Sequence, residues 1–230
     1  MLKLLIFDLD GTLADTGRDI TDALNYALGP FGGKEYSLEE TKAMVGSGIS
    51  TLLGSLIAHT PPIPPLPGEV SDKAVDPGER VTGRFLEYYA EHLLDNTRAY
   101  PHVKETLSQL GQYKKAVLSN KREKYSRQIL EELMLSPYFD TIWGSDSVRE
   151  KKPSPVPVLD LISSFTVSKD ETVVIGDSNY DVEAGKAAGV KVIGVTYGFR
   201  SREFLRDADI IIDRFDELLK VLPEINQATL

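Results

Sequence analysis

Cysteine is absent from the 230 residues, which excludes disulfides, thiolate metal sites and a cysteine nucleophile together. Histidine is almost as scarce. His59, His92 and His102 show no spacing that would let them share a metal, and they read as structural or surface residues. No stretch approaches the roughly 20 apolar residues of a membrane helix. The apolar run Leu2 to Phe7 is interrupted by Lys3, ends at Asp8 and is too short for a secretory signal. A cytoplasmic protein with no membrane partner is expected. Positive charge is also in deficit. With 26 lysines and arginines against 35 aspartates and glutamates, the net charge of −9 has the wrong sign for a nucleic-acid partner. It does not exclude a small anion, because a bound cation, one lysine or a helix N-terminus can reverse the field locally.

What is present is an ordinary globular composition: 41% hydrophobic and 27% charged residues are too apolar for disorder. The length allows one α/β domain, alone or with a small accessory unit. Short apolar runs at 2–7, 115–118, 141–143, 172–175, 191–195 and 209–212 alternate with helical patterns, among them Tyr125, Ile129 and Leu133, the segment 156–165, and the alanine-rich 181–188 closed by Gly189. Such alternation predicts an α/β fold with a doubly wound parallel sheet built from 1–15 and 99–230. Between 16 and 98 the alternation stops, and the pattern predicts an inserted α-helical domain. Thr16 to Asp19 reads as a capping box ahead of Ile20, Leu24, Ala27 and Leu28, and Ser37 to Glu40 repeats the signal for a helix ending near Gly46. Val81, Phe85, Tyr88, Tyr89 and Leu93 mark a further helix, while the proline-rich 60–68 reads as a stiff loop.

Chemistry-bearing residues fall at the ends of the predicted strands. Asp8 and Asp10 flank one residue on an extended segment, so both carboxylates project to one side. Like charges that close are costly unless a divalent metal, or a division of labour between acid and base, accounts for them. Gly11 permits a tight turn and Thr12 can orient a carboxylate, although Asp-Gly is also common in plain strand-end turns. Ser119 and Asn120 end the next strand, where helix capping is the alternative. Pro153 holds Lys152 extended, so that its ammonium could turn inward rather than lie on the surface. Asp177 and Asp181 follow another strand. Asp177, on the turn, suits a metal, and Asp181 could equally cap a helix. Oxygen ligands without sulfur or clustered histidine point to magnesium.

As an ordered set, Asp8-Leu9-Asp10-Gly11-Thr12, Ser119-Asn120, Lys152-Pro153 and Gly176-Asp177-Ser178-Asn179-Tyr180-Asp181 resemble the signatures of the haloacid-dehalogenase-like phosphohydrolases over residues 1 to 213. Phe7-Asp8-Leu9-Asp10-Gly11-Thr12-Leu13 and the Gly46-Ser47-Gly48 turn look most like the phosphoglycolate-phosphatase branch. The resemblance implies a cap at 16–98 and a magnesium-dependent phosphatase acting on a small phosphorylated metabolite, as monomer or homodimer. It implies Asp8 as nucleophile, Asp10 as acid and base, and Thr12 as the residue orienting the turn. Ser119, Asn120 and Lys152 would hold the phosphoryl group. Asp8, Asp10 through its carbonyl, and Asp177 would hold magnesium, with Asp181 behind them. Arg18 could reach a substrate carboxylate, a helix-surface arginine being the plainer reading. A phosphosugar mutase of the same family is one alternative, and a phospho-aspartate signalling module of different motif order is another. A cap lysine forming an imine, Lys34 or Lys42, has no supporting context. No glycine-rich nucleotide loop occurs.

Overall fold

A computed structural model of the chain describes residues 1–57 and 76–228. His59 and the proline-rich run 60–68 lie outside the described residues. The chain forms two compact units, Met1–Asp15 with Arg98–Leu230, and Thr16–Thr97. The first opens with β1 (Leu4–Phe7) and β2 (Ala14–Asp15). The second contributes α1 (Gly17–Leu28), α2 (Leu38–Met44), α3 (Ile49–Ile57) and α4 (Pro77–His92). The first then resumes with β3 (Arg98–Ala99), α5 (Val103–Gln109), β4 (Lys114–Leu118), α6 (Glu123–Glu132), β5 (Thr141–Trp143) and α7 (Val156–Phe165). It closes with β6 (Thr172–Gly176), α8 (Asn179–Ala188), β7 (Lys191–Val195), β8 (Ile210–Ile212) and α9 (Leu218–Ala228).

Six strands pair in parallel in the order β5-β4-β1-β6-β7-β8. The chain steps outward from β1 through β4 to β5, then crosses to the other side of β1 and steps outward again. The strand order therefore reverses at β1, where a parallel sheet opens a crevice beyond its carboxyl ends. β1 is buried throughout, as a continuous apolar run requires. Leu4 and Ile6 pack with Val158 and Leu161 of α7 and Val182 of α8. Phe7 turns to the opposite face, edge-on to Phe139 at 5.9 Å and tilted against Phe215 at 5.9 Å. This alternation fixes which way the next residue, Asp8, can point.

In the helical unit, Ile20, Leu24, Ala27 and Leu28 are buried on one face of α1, which packs along α4 where Val81, Phe85 and Tyr89 are buried. Tyr88 departs from the expected apolar stripe. Its ring is stacked between Tyr26 at 4.5 Å and His92 at 4.2 Å. The box at Ser37 and Glu40 forms as the sequence reads, and Gly46 and Gly48 take positive φ of 135° and 87° after α2. The box at Thr16 does not, because the Thr16 side chain makes no cap hydrogen bond. The Asp19 carboxylate is spent elsewhere. It accepts from Asn96 N–H at 2.9 Å, Asn96 Nδ2 at 2.8 Å, Thr97 N–H at 2.8 Å and Thr97 Oγ1 at 2.7 Å. One buried acid thus ties the entry of this unit to its exit. Asp19→Ala is expected to destabilise the protein by about 3 kcal/mol, since it strands donors that a charged acceptor satisfied. An unchanged urea midpoint would show that the tie contributes nothing.

Candidate active site

The β1–β6 ladder runs one residue beyond the strand through Asp8 N–H to Ile175 O at 2.9 Å, which sets the nearly buried Asp8 at the sheet rim. A tight turn follows, with Gly11 N–H donating to Ala14 O at 2.9 Å and Ala14 N–H to Leu9 O at 3.1 Å. Gly11 sits at φ +85°, and a Cβ there would lie 2.2 Å from Asp177 Oδ2. Only glycine fits both the backbone and the neighbour. Thr12 is buried and donates to Asp177 Oδ1 at 3.4 Å.

Ser119 leaves β4 buried, with its N–H on Trp143 O at 3.0 Å and its Oγ accepting from Lys121 N–H at 3.2 Å. Neither Ser119 nor Asn120 caps α6. The Glu123 N–H there donates to Asp146 Oδ1 at 2.7 Å. Asn120 spends its carboxamide on the backbone of Lys152, donating to Lys152 O at 2.8 Å and accepting from Lys152 N–H at 3.1 Å. The Asn120 carboxamide thus holds the backbone at Lys152. The Lys152 ammonium, buried rather than solvated, donates to Asp8 Oδ1 at 2.8 Å and to Asp181 Oδ1 at 2.6 Å. Asp181 Oδ2 accepts from Ser178 Oγ at 2.6 Å and Ser178 N–H at 3.2 Å, so this acid both organises the start of α8 and holds Lys152.

Asp177 is gripped by a loop that carries no side-chain signature in the sequence. Phe199 N–H donates to Asp177 Oδ2 at 2.6 Å, and Gly198 lets the loop approach, since a Cβ there would lie 2.3 Å from Asp177 Cβ. Tyr197 hydroxyl donates to Thr12 O at 3.0 Å and its ring lies 4.8 Å from that of Tyr100. Sequence reasoning also missed Lys121. Its ammonium is nearly buried, 3.2 Å from Asp10 Oδ2. The remaining candidates lie in the helical unit. Arg18 is exposed on α1 and pairs with Asp22 at 3.0 Å, and Lys34 pairs with Glu40.

Carboxylate oxygens of Asp8, Asp177 and Asp181 lie within 4.8 Å of one another. Burial raises Asp8 to about 7, with Lys152 opposing and the charges of Asp181 and Asp10 adding to the rise. Burial, then the charges of Asp8 and Asp181, likewise hold Asp177 well above the usual carboxylate range. Burial disfavours the Lys152 charge, yet Asp181 and Asp8 outweigh it and keep the ammonium protonated. One ammonium among three buried carboxylates leaves a surplus of negative charge. The Lys152 ammonium bonds Asp8 and Asp181, whereas Asp177 is held by the neutral donors Thr12 Oγ1 and Phe199 N–H. An all-oxygen donor set with uncompensated charge fits a hard divalent cation.

A family model described as haloacid dehalogenase-like hydrolase matches residues 5–195. The chain belongs to that family. A curated relative named phosphoglycolate phosphatase, from Aquifex aeolicus, is 32% identical over 227 residues, covering 96% of this chain and 97% of its own. Another of that name, from Vibrio parahaemolyticus, is 34% identical over 225 residues, covering 96% of each. A crystal structure described as a predicted phosphoglycolate phosphatase from Haemophilus somnus superposes with a TM-score of 0.84 at 30% identity, over 96% of this chain and 98% of that one. In this haloacid dehalogenase-like hydrolase the acidic cluster thus sits at the crevice that its sheet topology creates. Among the described residues, no helix is long and apolar enough to cross a membrane.

Proposed function

We propose that this hydrolase is a cytoplasmic, magnesium-dependent phosphatase that cleaves a small phosphate monoester, phosphoglycolate foremost, through an aspartyl-phosphate on Asp8. The observation that carries the reading is the Asp8 carboxylate, fixed at the sheet rim with Lys152 on one oxygen and Asp177 alongside. The names of the relatives, at 32% and 34% identity over nearly the whole chain, support the substrate class. The helical unit is read as the cap.

In the first half-reaction a carboxylate oxygen of Asp8 attacks phosphorus in line and the bond from phosphorus to the ester oxygen breaks. Its electron pair leaves on the alcohol oxygen, which takes the proton of Asp10. In the second, water gives a proton to Asp10 and attacks the same phosphorus, releasing inorganic phosphate and restoring the Asp8 carboxylate. Lys152 and Ser119 hold the phosphoryl oxygens as charge shifts between them, while Asn120 and Asp181 hold Lys152. Thr12 orients the turn. Magnesium would be held by Asp8, the Asp10 carbonyl and Asp177, and when bound it neutralises the crowded charge and polarises the phosphoryl group.

A panel of phosphoglycolate, sugar phosphates, nucleoside monophosphates and pyrophosphate, assayed with and without magnesium, tests the reading. Multiple turnover releasing phosphate only with the metal supports it. A single stable phosphorylation points to a signalling module, and isomerised phosphosugar to a mutase. Asp10→Asn is expected to slow both formation and breakdown of the phosphoenzyme by about 100- to 10,000-fold. Rapid-quench rates that change in only one half-reaction would remove its dual role.

A further inference from the structure

The mechanism above leaves Lys121 unused, although its placement is as constrained as that of Lys152. Its backbone is held on both sides. The N–H donates to Ser119 Oγ at 3.2 Å, and the carbonyl accepts from Ser145 N–H at 2.8 Å. The side chain is 8% exposed, with Nζ 3.2 Å from Asp10 Oδ2. Lysine is seldom buried without a specific charge to meet. Asp8 and Asp181 are already met by Lys152, so Lys121 serves a different part of the site.

The position of Asp10 says which part. A proton donor has to lie within hydrogen-bond reach of the oxygen it protonates, so the Asp10 carboxyl marks the leaving-alcohol side of the phosphorus. An ammonium 3.2 Å from that carboxylate stands beside the first atoms of the leaving group. In an ester of a hydroxy acid such as glycolate, one carbon separates the ester oxygen from the carboxylate. With phosphorus at Asp8 and the ester oxygen at Asp10, that carboxylate would come within reach of Lys121.

Resting on the phosphatase reading, we infer that Lys121 determines substrate class, its ammonium pairing with a carboxylate carried on the carbon next to the ester oxygen. The ion pair with Asp10 is one that a second carboxylate can share, because an ammonium has three donors. Esters without that carboxylate forgo the contact.

The test compares kcat/KM for phosphoglycolate and for 2-hydroxyethyl phosphate, which has the same two-carbon skeleton with a neutral hydroxymethyl group in place of the carboxylate. The preference of the wild-type enzyme for phosphoglycolate is expected to fall about 10- to 100-fold in Lys121→Met, the worth of one charge-assisted hydrogen bond. Lys121→Arg, which keeps the charge, is expected to retain most of that preference. A ratio unchanged in Lys121→Met, with both rates reduced alike, would overturn the inference and leave Lys121 as a positioning residue for Asp10. A wild-type enzyme that hydrolyses both esters equally well would also overturn it while the phosphatase reading stands. Hydrolysis of no monoester at all would instead remove that reading.

Discussion

Asp8→Asn is expected to lower turnover on the order of 10,000-fold or more, the scale seen when a covalent nucleophile is removed. The substitution keeps shape and one acceptor oxygen, so the hydrogen bond from Lys152, 2.8 Å in the wild type, can persist. What it removes is the anionic oxygen that would attack phosphorus. Rapid quench with labelled phosphoglycolate should trap label on the wild-type chain and none on the variant. Turnover within tenfold of wild type would eliminate Asp8 as nucleophile. The same variant reports on the charge of the site. Folded Asp8 keeps its proton up to about 7, whereas an ordinary aspartate releases it at 3.8. In the metal-free protein the folded state therefore holds the extra proton within that window. The stability Asp8 contributes is complete below the window and is lost as pH rises through it. Asparagine has no such proton, so urea midpoints of the variant should fall less between about pH 4 and pH 7 than those of the wild type. Parallel pH profiles would mean that Asp8 is not held protonated by its surroundings.

How much of this site could be read from the sequence follows from how each residue is anchored. Asp8, Asp10, Asp177 and Asp181 announce themselves because they follow apolar runs, and the runs at 115–118, 141–143 and 191–195 fall on β4, β5 and β7. Parallel strands align their carboxyl ends, so acids distant in sequence come to one rim. Lys121 was hidden by its setting. It stands between Asn120 and Arg122 where a helix was due to begin, and a basic pair at a helix start reads as solvated surface. The residues after β7 were hidden for another reason. Their hold on Asp177 comes from the Phe199 N–H and from the clearance at Gly198, and backbone groups leave no residue-type signal. Asp19 was misassigned because a carboxylate three residues after a threonine matches a local cap, while its true partners, Asn96 and Thr97, lie 77 and 78 residues away. Local patterns carry local bonds, and those that close over long distances become visible only once the fold has formed.

Lys152→Met should destabilise the α/β unit by about 3–5 kcal/mol, because it strands two buried carboxylates that share one cation. Methionine nearly matches lysine in length, so the loss is one of charge rather than packing. Asn120 still holds the backbone at this position, through its bonds of 2.8 Å and 3.1 Å, and the loop is expected to keep its course. Without the ammonium, Asp8 and Asp181 can relieve their repulsion only by taking up a proton. The penalty should therefore be larger at pH 8 than at pH 6, and denaturant unfolding at the two values would show it. Adding Asp181→Asn removes one of the stranded charges while keeping an acceptor for Ser178, so the double variant should recover part of the loss. That coupling, measured as a double-mutant cycle, separates an ion-pair effect from a general defect in folding. Under the proposed mechanism, turnover should fall by about 100- to 1,000-fold even where the variant is fully folded, since the cation that would meet the phosphoryl oxygens is gone. A Lys152→Met protein that unfolds at the wild-type denaturant concentration at pH 8 would show that the ammonium does not compensate these acids, and the electrostatic account of the site would fall with it.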